Sequence, residues 1–239
     1  MSDQMIFKRY EIKYLINKVQ YDMIKKEMDS YMMADVHGRS TILSLYFDTP
    51  DYLLVRRSLE HPVYKEKLRL RSYGTADSDS LVFVELKKKY DSIVYKRRIA
   101  MTQHNADDYL LRGKPAPDSQ ITREIDYFLS FYNEIRPSVL LSYQREAFYS
   151  KCNQDFRITF DNQILWRNYD LSLCKGIYGM PLLENDQILM EIKTSGAIPM
   201  WLVQILSREK IFKTSFSKYG SAYKAIFEKK ENGGLYHYA

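Results

Sequence analysis

A charge at every second position, repeated along segment after segment, is the feature that most constrains this chain. Lys65, Lys67, Arg69 and Arg71 share one parity, with Leu68 and Leu70 on the other. Arg9, Glu11 and Lys13 alternate with Tyr10, Ile12 and Tyr14. Glu85, Lys87 and Lys89 do the same, then Lys96 with Arg98, Tyr143 with Arg145, Arg157 with Thr159 and Asp161, and Glu191 with Lys193. A strand turns successive side chains to opposite faces, so each segment has one cationic face and one largely apolar face. Strands closed on one another with the charges inward would enclose a positively charged tunnel, which suits a polyanion.

The plainer arrangement is an antiparallel sheet whose charged face meets water. A solvated face usually mixes signs to limit repulsion, yet one strand here stacks Lys65, Lys67, Arg69 and Arg71. The carboxylates that share these faces arrive as Glu-x-Lys pairs: Glu11/Lys13, Glu85/Lys87 and Glu191/Lys193. Assembling so many cations costs repulsion and desolvation. A bound polyphosphate offsets that cost through charge-assisted hydrogen bonds.

The predicted strands are Phe7–Leu15, Ile42–Phe47, Val63–Ser72, Leu81–Lys88, Ser92–Met101, Pro137–Tyr149, Phe156–Asp161 and Gln187–Thr194. Lys89-Tyr90-Asp91 reads as a hairpin turn. Asn17 caps a predicted helix to about Met28, and Asp48-Thr49-Pro50 opens a short one over Asp51–Ser58. Further helical stretches are Asn105–Leu111, Gln120–Phe131, Ile198–Leu206 and Ser217–Lys230. The expected fold class is α+β, an antiparallel eight-stranded β-barrel tunnel with helices covering its outward apolar faces. Residues 1–231 form one domain in this reading, and 232–239 a loose tail.

A length of 239 residues suits one domain or at most two, and a net charge of +6 favours anionic partners. Cys152 and Cys174 have no CxxC spacing, and the four histidines are scattered, so no zinc constellation is visible. Two lone thiols, no apolar leader and no membrane-length apolar run lead to the expectation of a cytoplasmic protein without a membrane span. The 21 tyrosines fit strand faces. There is no G-x-x-x-x-G-K-[ST], no G-x-G-x-x-G and no H-R-D or D-F-G pair, so anion recognition falls to side chains on strands. The few carboxylates suit a hard divalent cation, Mg²⁺ or Mn²⁺, shared with phosphate oxygens.

Glu11-x-Lys13, Lys67-x-Arg69-x-Arg71, Glu85-x-Lys87 and Glu191-x-Lys193 resemble the triphosphate tunnel metalloenzymes. Within that superfamily the strings FKRYEIKYLI, YFDTPDY, KLRLRSYG, VFVELKKK, LSYQREAF and FSKYGSAY are similar to VTC-type polyphosphate polymerase domains. The resemblance implies transfer of the ATP γ-phosphate to a growing inorganic polyphosphate chain, with a divalent metal. It implies catalytic roles for Lys13, Arg69, Arg71, Lys87 and Lys218. It implies phosphate binding by Lys67, Lys96, Arg98, Tyr143, Arg145, Arg157, Lys193 and Ser217, and metal ligation chiefly by Glu191, with Glu11 and Glu85. Ser217 would cap the last helix and the exposed Lys218 would close over phosphates, so that its loss leaves folding nearly untouched. One departure is Arg9, which stands where hydrolytic tunnel enzymes resemble Glu-x-Glu-x-Lys; an added cation favours holding long polyphosphate. A membrane-protein partner would export the product.

Two other functions use the same tunnel: a triphosphate or tripolyphosphate hydrolase, and a non-catalytic polyphosphate or nucleotide sensor. Single-stranded nucleic-acid binding fits worse, because base stacking wants exposed aromatics beside the cations.

Overall fold

The computed structural model describes residues 10–232 except Ser92 and Gln154, so Arg9 and the expected loose tail lie outside the described residues. In chain order the elements are β1 (Tyr10–Ile16), α1 (Lys18–Met28), β2 (Met32–Asp48), α2 (Leu53–Leu59), β3 (Tyr64–Tyr73), β4 (Leu81–Tyr90), β5 (Ile93–Thr102), α3 (Gln103–Arg112) and α4 (Gln120–Tyr132). They continue with β6 (Arg136–Ser150), β7 (Arg157–Arg167), β8 (Met180–Pro181), β9 (Ile188–Thr194), α5 (Met200–Arg208), β10 (Lys213–Thr214) and α6 (Lys218–Asn232).

The strands make one antiparallel sheet in the order β10-β1-β9-β7-β6-β2-β3-β4-β5, with β8 on β7. Antiparallel strands with flanking helices were expected, but closure and strand number differ. Among the described residues the sheet has ten strands, and its ends, β10 and β5, do not pair. The two added strands, β8 and β10, are dipeptides too short to show a periodic pattern. In place of backbone pairing, a charge pair bridges the concave side: Lys87 Nζ on β4 lies 3.7 Å from Glu11 Oε2 on β1. No helix among the described residues is long and apolar enough to cross a membrane.

Two other boundaries moved for tertiary reasons. β2 begins at Met32 because Met32, Met33 and Ala34 pair with Ser150, Tyr149 and Phe148 of β6; a register shift before Arg39 hides the alternation. α2 begins at Leu53 because Tyr52 takes a left-handed conformation, φ 59°.

The apolar parities go where alternation sends them. Leu68 and Leu70 of β3 and Val82, Val84 and Leu86 of β4 pack under Ala106, Ile125 and Phe128 of α3 and α4. Tyr14 and Ile16 of β1, Ile158 and Phe160 of β7 and Met190 and Ile192 of β9 pack under α1 and α5. A third cluster lies on the opposite, concave face: Ile42 and Tyr46 of β2 and Val139, Leu141 and Tyr143 of β6 meet Tyr219, Ala222 and Ile226 of α6. The concave face is therefore part cationic and part apolar, and the apolar part seats a helix.

Candidate active site

Antiparallel pairing sets opposite charges side by side on that face. Lys13 lies opposite Glu191 and Glu11 opposite Lys193. Arg69 lies opposite Glu85, and Glu85 opposite Arg98 on its other side. Arg145 lies opposite Asp161, and Arg157 opposite Lys193. The Glu-x-Lys spacing makes each carboxylate a cross-strand partner for a cation on the neighbouring strand.

A cavity of about 690 Å³ opens there, lined by Lys13, Lys67, Arg69, Arg71, Lys87, Lys96, Tyr143, Arg145, Lys193, Ser217 and Lys218 beside Glu11, Glu85 and Glu191. Cations outnumber carboxylates, so the cavity is strongly electropositive. A second cavity of about 300 Å³ shares Arg71, Lys96, Arg145 and Lys193 with it and adds Arg157. Arg157 thus faces the adjoining space and not the larger cavity. Arg98 lines neither; its guanidinium lies 3.6 Å from the Phe83 ring centroid and its Nε 3.2 Å from Glu85 Oε1.

Each carboxylate is held by cations. Glu85, 1% exposed, meets Arg69 at 2.7 Å, Lys96 at 2.7 Å, Arg98 at 3.2 Å and Arg71 at 3.8 Å. Burial pushes its carboxyl up, but Arg69, Arg71 and Lys96 overcome this and hold it at about 2. Burial likewise opposes Lys87 and Lys13 at Glu11, and the lysines win, leaving it at about 2. Glu191 sits well below the usual carboxylate range despite burial, through Lys218, Lys13 and Arg145. The lysines pay the opposite way: burial lowers both Lys67 and Lys193 to about 8.

Lys218 departs from the sequence expectation. It is buried, not exposed, with its ammonium 2.5 Å from Asp161 Oδ2 and 3.0 Å from Glu191 Oε1. Those two carboxylates raise its pKa against the pull of burial. Ser217 does cap α6, accepting from the Gly220 amide at 3.2 Å, and it also accepts from Lys67 Nζ at 3.3 Å.

Three neighbours of these side chains were not among the expected site residues. Asp161, fully buried, grips Arg145 with two bonds of 2.6 Å. Asp48 anchors Tyr219, whose hydroxyl donates to it at 2.7 Å. Tyr46 lines the cavity directly opposite Arg69. Asp161 carried the right parity for this face; Tyr46 and Asp48 sit at the end of a strand with no charge alternation.

Among the described residues no group of three or more His, Cys, Asp or Glu side chains converges as a metal cage. Glu85, ringed by four cations within 3.8 Å, does not fit a metal. Glu11 and Glu191, which share Lys13 at 3.2 and 3.5 Å, fit a hard cation that takes its remaining ligands from phosphate oxygens.

The comparisons agree with this geometry. Residues 8–227 match the family model of the VTC domain. The chain is 25% identical to vacuolar transporter chaperone complex subunit 4 of Trypanosoma brucei brucei over 93% of its own length. It spans about a third of that relative, 35%. Among solved structures, an adenylate cyclase candidate from Bacillus halodurans matches with a TM-score of 0.57 at 14% identity, over 90% of this chain and 96% of that one. A Hippeastrum adenylyl cyclase candidate, described as having a dominant triphosphatase activity, matches with a TM-score of 0.51 at 15% identity, over 95% of this chain and 99% of that one. These likenesses carry the triphosphate tunnel fold, and the family match spans nearly the whole sequence: the chain belongs to the VTC domain family.

Proposed function

We propose that this chain is an ATP-dependent polyphosphate polymerase that moves the γ-phosphate of ATP onto the end of an inorganic polyphosphate chain and releases ADP. The observation that carries the reading is the convergence of cations from β1, β3, β4, β5, β6, β9 and α6 on one cavity. The relative's place in a transporter chaperone complex supports an assembly partner for this chain.

In the proposed reaction a terminal phosphate oxygen of the chain attacks the γ-phosphorus, a new P–O bond forms, and the bond to the β-phosphate oxygen breaks with its electron pair leaving on ADP. The attacking oxygen is already ionised, so no base has to remove a proton. That suits a cavity whose carboxylates, Glu11, Glu85 and Glu191, are all engaged by cations. Lys13, Arg69, Arg71, Lys87 and Lys218 stabilise charge on the transferring group. Lys67, Lys96, Tyr143, Arg145, Lys193 and Ser217 hold the flanking phosphates, Arg157 meets the chain in the adjoining cavity, and Arg98 with Glu85 braces Arg69. Glu191 and Glu11 would hold a divalent ion, Mn²⁺ or Mg²⁺, which would supply charge neutralisation on the phosphates.

Incubation of the purified chain with ATP and Mn²⁺, followed by a polyphosphate gel, tests the reading. Polymer and ADP are expected from the wild type; Glu191→Gln should make none yet still bind tripolyphosphate. Free phosphate as sole product would make the protein a hydrolase, and binding without turnover a sensor.

A further inference from the structure

We propose that Tyr46 is a further substrate-contacting residue of the tunnel: its phenolic hydroxyl, fixed by Arg69, donates a hydrogen bond to an oxygen of the bound phosphate chain. The inference rests on the anion-binding reading of this cavity and adds a neutral donor to its cations.

Geometry carries it. Tyr46 on β2 lies directly across from Arg69 on β3, on the concave face, and its side chain lines the larger cavity. Its ring stacks on Tyr219 of α6, with centroids 4.6 Å apart at 18°, so the phenol cannot swing freely. Its oxygen accepts from Arg69 Nη1 at 3.1 Å. The hydroxyl proton has no acceptor among the described residues, although Tyr46 is buried at 8% exposure. Its stacking neighbour differs: Tyr219 spends its proton on Asp48 at 2.7 Å. A buried hydroxyl with an unspent donor costs free energy unless a ligand completes it. In a cavity crowded with ammonium and guanidinium groups, which only donate, the missing acceptor is an anionic oxygen.

The electrostatics point the same way. Burial raises the Tyr46 phenol, but Arg69, Lys67 and Arg71 on β3 overcome it and bring it down to about 8. The other charged or titratable groups of the cavity on elements packed against it are Tyr143 and Arg145 on β6 and Lys218 and Tyr219 on α6; Glu85 on β4 bonds to Arg69 beside it. An anion bound among these cations neutralises them and returns the proton to the phenol. Binding near pH 8 therefore takes up protons, and above that pH the phenolate can neither donate to a phosphate nor avoid repelling it.

Titration calorimetry of tripolyphosphate into the full chain, without metal, at pH 7 and pH 9 tests this with wild type and Tyr46→Phe. The variant keeps the ring stack, so its melting temperature should match the wild type. At pH 7 the variant should bind about tenfold more weakly. At pH 9 the gap should close, because the wild type must first recover its proton. Lys67 titrates in the same range and its proton affinity depends on the Tyr46 charge, so both proteins are also compared carrying Lys67→Arg, which keeps the cation and removes that titration. Equal affinities at pH 7, or the same ratio at both pH values, would overturn the assignment while leaving the anion-binding reading intact. Failure of the wild type to bind tripolyphosphate would overturn both.

Discussion

At the scale of single residues, Lys218 shows what a paired buried charge does. A lysine at the first turn of a helix normally sits in water, where its removal costs little. This one neutralises Asp161 and Glu191 at 2.5 and 3.0 Å in a buried pocket. Lys218→Ala leaves two carboxylates without that partner, and breaking a buried pair costs about 3–5 kcal/mol. The variant should therefore melt lower as well as lose well over tenfold in turnover, with Asp161→Asn restoring part of the stability but not the activity. Calorimetric melting of the single and double variants checks this. Unchanged stability in Lys218→Ala would mean that water or rearrangement replaces the pair. The alternation of Glu191 and Lys193 is visible in the sequence; the role of Asp161 is not, because its partner Lys218 is 57 positions away and only the fold brings them together.

At the scale of elements, α6 and α2 are joined by one buried carboxylate. α2 has no side-chain cap of its own at Tyr52. Asp48, at the end of β2, accepts instead from the amides of Leu54 at 2.8 Å and Val55 at 3.0 Å, and from Tyr219 of α6 at 2.7 Å. Helix amides without a cap cost about 0.5–2 kcal/mol, and a buried tyrosine hydroxyl left without its acceptor adds about 1–3 kcal/mol. Asp48→Ala should thus destabilise the chain by about 2–4 kcal/mol. Because Tyr219 is next to Lys218, turnover should fall too, although Asp48 does not line the cavity. Denaturant melts beside kinetics at saturating ATP measure the two effects; lost stability with wild-type turnover would uncouple α6 placement from Asp48. The aspartate of the string YFDTPDY looked like the start of a helix, and so it is, but four residues ahead of where capping rules place it.

For the whole molecule, the concave face makes stability and anion binding respond to pH in opposite ways. Glu11 and Glu85 are held at about 2, and Glu191 lies well below the usual range. Their stabilising contribution is complete above the ordinary carboxylate pKa of 4.5 and is lost as pH falls towards 2. Lys67, Lys193 and Tyr46 release protons at about 8 in the folded chain, against ordinary values of 10.5, 10.5 and 10.0. Between about pH 8 and 9 the unfolded chain binds more protons than the folded one, so stability rises with pH; nearer 10, tyrosines such as Tyr21, Tyr64, Tyr109 and Tyr132, whose phenols burial raises, oppose it. The ligand-free melting temperature should increase across that window, by about 2–4 °C for each kcal/mol gained, while tripolyphosphate affinity declines. A melting temperature that falls from pH 8 to 9 would show that the cavity lysines are solvated well enough to keep their protons.

Alternation along the strands determined which faces carry charge, which carry the core, and hence that a cationic concavity forms; period-two geometry leaves a strand no other choice. Lys13, Arg69, Lys87, Arg145 and Glu191 were legible on that basis, as were the positions of the long strands along the chain. Only the tertiary structure decided that the sheet stays open, that Arg157 and Arg98 fall outside the larger cavity, and that a helix occupies the apolar part of the concave face. Those outcomes depend on strand curvature and register and on contacts between residues far apart in sequence, such as Tyr46 with Tyr219 and Lys218 with Asp161. A local pattern records which face a side chain takes, but not which distant side chain it meets there.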